Sequence, residues 1–384
     1  MATKPQQDLA SSASGELPVV PSTAASLETL REENAQLRAE LAQLRSHQID
    51  PTDAHWDAAI ANGITYSDDH STTSALSAGR LLRQLSGIAK QRMKDGLIRN
   101  SSEFDYLPKP SADQAQLEGD FVRWGYCLVA DAMSPAQVQA QVDRLIEQAA
   151  EERKLESAIM TSRNERAQLV NNLVLKGQVF RDAVEFKPSA AQRGELVDTL
   201  LTKIMGEGFG LGCAHGSIVH QGGGLQELHV DQGGIPMPYP PFPFGSLIIW
   251  CYTEFDLENG ATYVVPGSHR TANGSTSFHD GANLVRLVEG EPGLVAICAP
   301  PGTCILTDTR VLHGGGRRTA EGTRYAMRCH YNRHFVRALH EQSTANLHVP
   351  TEVYEKLSPR LRHMMGISIH NPAPVGELRT TPAT

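Results

Sequence analysis

A chain of 384 residues, 40% hydrophobic and 20% charged, is long enough for one large domain with appendages and has a globular texture, neither disordered nor fibrous. Its formal net charge of -8, with no basic stripe carrying interleaved aromatics, excludes a general nucleic-acid binder. No run approaches the ~20 apolar residues of a membrane span, and MATKPQQDLASSASGELPVV lacks the texture of a secretory signal, so a reducing cytoplasm is the expected compartment.

Residues 1–24 are rich in Ser, Ala, Pro and Gln and read as a disordered tail. Residues 25–48 read as a short coiled-coil helix. Leu27, Asn34 and Leu41 share one heptad position, Leu30, Leu37 and Leu44 the other, and Glu33 and Glu40 face Arg38 and Arg45 across a parallel seam. That pattern predicts a homodimer through residues 27–45, with Asn34 bonding its twin. Residues 49–112 carry weaker signals. Helical spacing over 74–95, with Leu76, Leu81, Leu82, Leu85 and Ile88 on one face, makes this a helical connector able to pack on the main domain.

Residues 113–340 form the expected main domain. DQAQLEGDFVRWGYCLVADAM predicts a helix followed by a short strand, a second helix begins near Ser134, and QRGELVDTLLTKIMG predicts a third, ended by Gly206. After Gly206, short apolar runs separated by Gly, Pro and Asn predict a β sandwich or barrel core. Residues 341–384 supply a last helix over 350–366 and a tail. Six cysteines (127, 213, 251, 298, 304, 329) form no C-x-x-C pair and read as reduced packing residues.

The chemistry concentrates in His229-Val230-Asp231, with His313 and Arg324 downstream. Residues two apart on a strand share a face, so His229 and Asp231 can grip one ion. A second imidazole from a distant strand completes two histidines and a carboxylate, a set suited to a non-heme Fe(II) oxygenase because it leaves the opposite positions open. His269 and His279 are the other candidates for the third ligand, although His269, in PGSHR, reads as a turn residue capped by Ser268. Arg324 is placed to hold a carboxylate co-substrate, in competition with Arg317, Arg318 and Arg328. Arg324 and Arg328 share a strand face, so geometry alone does not separate them. His313-Gly314-Gly315-Gly316 also spells an oxyanion-hole motif of esterases, but no G-x-S-x-G nucleophile elbow follows.

Residues 118–335 resemble the phytanoyl-CoA dioxygenase-like family of Fe(II)/2-oxoglutarate oxygenases. The resemblance rests on NNLVLKGQVFRD (171–182), LQELHVDQ (225–232), ENGATYVVPGSHR (258–270) and LHGGGRRTAEGTR (312–324). It implies an α+β fold with a double-stranded β-helix (jelly-roll) core flanked by helices. It also implies His229, Asp231 and His313 as iron ligands, and Arg324, eleven residues after His313, as a bidentate partner of the distal carboxylate of 2-oxoglutarate. Gln226 falls where family members contact the co-substrate, and Thr262 and Tyr252 are weaker candidates of the same kind.

The expected cofactors and co-substrates are therefore Fe(II), 2-oxoglutarate and O2. The expected reaction hydroxylates an unactivated C–H bond of a largely hydrophobic small molecule (lipid-like, terpenoid or another secondary metabolite), releasing succinate and CO2. Related halogenases carry a small residue where Asp231 stands, so hydroxylation is favoured over halogenation. Desaturation, epimerisation or ring rearrangement at the same iron is the alternative, and a zipper-mediated scaffold with a vestigial site is the rival from another class. Met237, Tyr239, Phe242 and Phe244 make the proline-stiffened loop 234–245 a candidate wall of the substrate pocket.

Overall fold

The computed structural model of the chain describes residues 84–161, 164–234, 240–272, 287–336 and 349–367. The chain divides into two units, Met1–Ser67 and Asp68–Thr384, and every described residue belongs to the second. The expected tail (1–24), the zipper helix (25–48) with its dimer seam, and residues 49–83 of the connector lie outside the described residues. His279, Met237 and Tyr239 do so as well.

Helices form where a local cap meets an apolar stripe of helical period. Residues 84–94 are helical and bury Leu85 and Ala89. Helix α1 (Gln114–Trp124) starts at Asp113, whose carboxylate accepts the Gln116 N–H at 2.9 Å, and stops at Gly125 with φ +81°. A Cβ on Gly125 would come within 2.3 Å of Val311 Cγ2 and 2.6 Å of His269 Nδ1, so both the backbone sign and the packing require glycine. Helix α2 (Pro135–Lys154) has a full capping box between Ser134 and Gln137, with proline in its first turn. The short helix α3 (Gln178–Val184) has no side-chain cap, and α4 (Gly194–Met205) ends at Gly206 as predicted. The single helix expected over 350–366 is two, α5 (Thr351–Tyr354) and α6 (Pro359–Met364). Pro359 has no N–H to continue the first helix, and Ser358 Oγ opens the second by accepting from the Leu361 N–H at 3.0 Å.

Two sheets follow. The larger has the order β2 (Tyr126–Val129), β9 (Cys304–Asp308), β6 (Gly245–Cys251), β11 (Thr323–Asn332), β5 (Gly210–His220), β4 (Ala167–Val170), β3 (Ile159–Met160). The smaller has the order β1 (Arg99–Asn100), β8 (Val295–Ala296), β7 (Thr262–Val264), β10 (His313–Gly315), and an antiparallel bridge from His313 to His229 extends it beyond β10. From β5 onward the chain visits the large sheet, the small at His229, the large at β6, the small at β7 and β8, the large at β9, the small at β10 and the large at β11. That back-and-forth winding is a double-stranded β-helix.

Side-chain parity explains why β6 reads as an unbroken apolar run. Leu247, Ile249 and Cys251 pack in the cluster that includes Tyr263, Val264 and Val295 of the small sheet, whereas Ile248 and Trp250 pack with Leu145, Phe180 and Leu201 of the helices. On β11, Met327, Cys329 and Tyr331 face the helices, which sends Arg324, Ala326, Arg328 and His330 inward. A bulge at Gly212 lets His330 pair with Cys213 but Tyr331 with Leu211. Parity therefore switches, and Leu211 joins the helix side while Cys213 and His215 face the interior.

Ile98, Phe104 and Leu107 are buried in the same cluster as Leu85, and β1 adds an edge to the small sheet. Residues 84–112 are thus integral to the packed core, and the expected domain boundary at 113 falls inside it. All six cysteines are free, with Cys298 half-buried and the others buried.

Candidate active site

Strand pairing brings the distant ligand candidates together. The His229 N–H donates to His313 O at 2.8 Å and the His313 N–H to His229 O at 2.9 Å. Val230 turns the other way, into the apolar cluster containing Leu85, and Asp231 opens a 3-10 turn. The Gln232 N–H donates to Thr309 O at 3.0 Å, which fixes that turn beside the start of β10. His229 Nε2 lies 3.6 Å from Asp231 Oδ1, and His313 Nε2 lies 3.5 Å from Asp231 Oδ2. Among the described residues these three form the one cluster of His, Cys, Asp or Glu side chains spaced for a metal, with one ligand atom from each within 4.8 Å of the others.

The tautomers follow from the partners. His229 Nδ1 is 2.8 Å from Glu227 O, and His313 Nδ1 is 3.0 Å from Val311 O. A carbonyl only accepts, so each Nδ1 carries a proton and each Nε2 is the atom turned toward Asp231. Burial, reinforced by the neighbouring His313, holds the His229 imidazole below its usual range, which keeps it neutral. The lone pair of a neutral His229 aimed at the Asp231 carboxylate is repelled unless a cation lies between them. Metal–nitrogen and metal–oxygen bonds of roughly 2.0–2.2 Å at right angles separate two donors by about 3 Å, close to the spacings here. The donor set fits a divalent metal.

A cavity of about 500 Å³ surrounds the triad, with Leu169, Leu247 and Ile249 as its apolar wall. Beside it a recess of about 50 Å³ is lined by Arg324, Phe255 and Gly315, and Gln226, Thr262 and Arg328 line both spaces. The Arg324 guanidinium is buried, stands 5.1 Å from the Phe255 ring centroid, and leaves Nε without a hydrogen-bond partner. Burial, with the charge of Arg328 adding to it, pulls Arg324 down to about 9. Among the described residues no carboxylate acts on it, and a carboxylate matches the guanidinium fork.

Gln226 and Thr262, predicted as co-substrate contacts, reach the recess. Tyr252 does not. Its hydroxyl donates to Gln141 Oε1 of α2 at 2.7 Å, because its parity continues that of Ile248 and Trp250 toward the helices. His269 is also elsewhere: its Nε2–H donates to Val122 O at 3.1 Å, while Ser268 Oγ accepts the Leu312 N–H at 2.9 Å. Phe242 and Phe244 do not line the metal cavity. Phe242 sits 4.7 Å from the Arg333 guanidinium and lines a separate space of about 560 Å³ between α1 and α4, and Phe244 meets Phe335 edge-on. The glycines after His313 serve close packing. A Cβ on Gly315 would sit 2.5 Å from Gly224 O, and one on Gly314 would sit 3.0 Å from Glu227 O.

Two histidines escaped the sequence reading. His330 Nε2 lies 3.6 Å from Asp231 Oδ2, and His215 joins it in the cavity wall. The signal for His330 was the period of two from Arg324 through Arg328 along β11.

The family profile described as Phytanoyl-CoA dioxygenase (PhyH) matches residues 121–326. The chain is similar to the multifunctional dioxygenase ausE of Emericella nidulans, 26% identical over 250 residues that cover 62% of this chain and 79% of that protein. It is similar to the multifunctional dioxygenase prhA of Penicillium brasilianum, 27% identical over 263 residues that cover 67% and 83%. Among solved structures, EctD from S. alaskensis with bound Fe aligns with a TM-score of 0.45 at 19% identity, covering 60% of this chain and 80% of that one. HygX from Streptomyces hygroscopicus with nickel and 2-oxoglutarate bound aligns at 0.43 and 15%, covering 59% and 89%.

Proposed function

The chain belongs to the phytanoyl-CoA dioxygenase (PhyH) family, and from that premise we propose that it is an Fe(II)- and 2-oxoglutarate-dependent dioxygenase whose metal is held by His229, Asp231 and His313. The observation that carries the reading is the orientation of both imidazoles, each held by Nδ1–H on a backbone carbonyl so that its Nε2 faces the Asp231 carboxylate across the width of an ion. Ferrous iron, with 2-oxoglutarate as electron donor, supplies the activation of O2 that no side chain can provide.

Everything else falls to the chain. Arg324 holds the distal carboxylate of 2-oxoglutarate, and Gln226 and Thr262 flank it. The backbone carbonyls of Glu227 and Val311 keep both ligand rings oriented. Leu169, Leu247 and Ile249 keep water from the reacting region. His229, whose side chain is 39% exposed against 5% for His313, marks the side from which a substrate approaches. The reaction is oxidation of a C–H bond in a largely hydrophobic small molecule. That the relatives are described as multifunctional dioxygenases supports a reading in which one iron site performs desaturation or rearrangement as well as hydroxylation.

Anaerobic titration of the full chain with Fe(II) and then 2-oxoglutarate tests the assignment. The expected result is stoichiometric binding of both, followed by succinate formation on admitting O2. A chain that binds neither component ends it. A metabolite-pool screen for O2- and 2-oxoglutarate-dependent oxygenated products identifies the substrate.

A further inference from the structure

A second guanidinium faces the same interior. Arg328 lies on the inward face of β11 with Arg324 and lines both the recess and the metal cavity, so it stands between the two. Its Nε is buried without a hydrogen bond, and among the described residues neither arginine forms an ion pair. The acidic group that acts on Arg328 across the cavity is Asp231, and burial pulls the guanidinium below its usual range. A buried charge without a counter-ion destabilises a fold as strongly as a broken buried pair does. Such a group stays in a fold where something else neutralises it.

The charges of the site say what that is. Given the iron and 2-oxoglutarate reading above, the two negative charges of the diacid offset Arg324 and one charge of the ferrous ion, and Asp231 offsets the other. Arg328 is left over. We propose that Arg328 anchors a carboxylate borne by the substrate itself, so that the substrate class is an apolar carboxylic acid bound in its ionised form. One leftover positive charge matches a monoanion. Among the described residues the cavity wall has no lysine and no arginine besides Arg328, so those residues offer no cluster of cations for the phosphates of a CoA thioester. A guanidinium fork fits a planar carboxylate in a bidentate pair, and Leu169, Leu247 and Ile249 receive the apolar body.

The test uses the full chain loaded anaerobically with Mn(II) and 2-oxoglutarate, with calorimetric binding as the readout. The probes are two matched pairs: abietic acid with methyl abietate, and dodecanoic acid with methyl dodecanoate. At least one acid is expected to bind about tenfold or more tighter than its ester. Arg328→Met brings that ratio to within about twofold while shifting the Kd of 2-oxoglutarate less than about threefold, and Arg328→Lys, which keeps the charge but not the fork, restores part of the preference. Acid and ester binding alike in the unaltered chain, or no acid binding at all, overturns the proposal. So does Arg328→Met weakening 2-oxoglutarate as strongly as Arg324→Met does, since Arg328 is then a co-substrate anchor. Failure of the unaltered chain to bind Mn(II) and 2-oxoglutarate is a separate result that removes the dioxygenase reading and this proposal with it.

Discussion

His229 and His313 are direct cross-strand neighbours: each donates its N–H to the other's carbonyl, and their rings lie 4.4 Å apart, centroid to centroid. Both bonds are between main-chain groups, so the rung survives loss of either side chain. His229→Ala and His313→Ala are therefore expected to keep the fold and lose the metal. Changes to groups that merely orient a ligand cost about 10–100-fold in metal affinity, so removing a ligand itself is expected to exceed about 100-fold. Metal content after desalting, with circular dichroism as the control for folding, checks this.

Arg324→Met is expected to separate binding from stability. Removing the partner of a buried charge costs about 2–5 kcal/mol of affinity, so the Kd of 2-oxoglutarate rises more than about 30-fold. Without ligand, the same change deletes an uncompensated buried cation beside Phe255, and the thermal midpoint holds or rises. Melting curves with and without 2-oxoglutarate read both effects. A large fall in the ligand-free midpoint counts against the assignment.

Tyr252→Phe tests the opposite case. The hydroxyl bonds Gln141 on the helix side of the sheet, so its loss is expected to cost about 1 kcal/mol of stability and to leave the affinity for 2-oxoglutarate unchanged. Urea unfolding and co-substrate titration on the same preparation decide it.

His269 gives the pH dependence. Burial holds its imidazole below the usual range, although Asp308 opposes the effect. In the folded state it stays neutral, whereas the unfolded chain takes up a proton near pH 6.5. Stability from this group is complete above that pH and is lost as the pH falls through it toward the depressed folded value. His269→Gln, which keeps a donor for Val122 O, is expected to lose less stability than the unaltered chain between pH 7.5 and 5.5 by urea midpoint.

Much of this was legible beforehand because it is local. Ser134 with Pro135 and Gln137, Asp113 at the start of α1, and Gly206 at the end of α4 specify their helices within a few residues. The spacing of His229, Asp231, His313 and Arg324 pointed to side chains that the fold brings to two adjoining spaces. What escaped depends on partners far along the chain. Arg324 and Arg328 were known to share a face, but whether that face looked inward was set by pairing with β5 and β6. The same ignorance of sidedness put Tyr252 at the wrong surface and hid His330. The bulge at Gly212 has no signal in a Gly-Leu-Gly-Cys run, and β1 is two residues long, too short for any periodicity.

The proposed metal ligands and the arginines ride on different sheets: His229 and His313 belong to the small one, Arg324 and Arg328 to the large. One apolar cluster, to which Ile249 and Ala326 of the large sheet and Tyr263 of the small one belong, holds the two layers together. Catalytic competence is thus tied to the thickness of the sandwich. Gentle swelling by denaturant or warmth is expected to draw the arginines away from the proposed metal site while each sheet is still intact, so that turnover falls before far-UV circular dichroism changes.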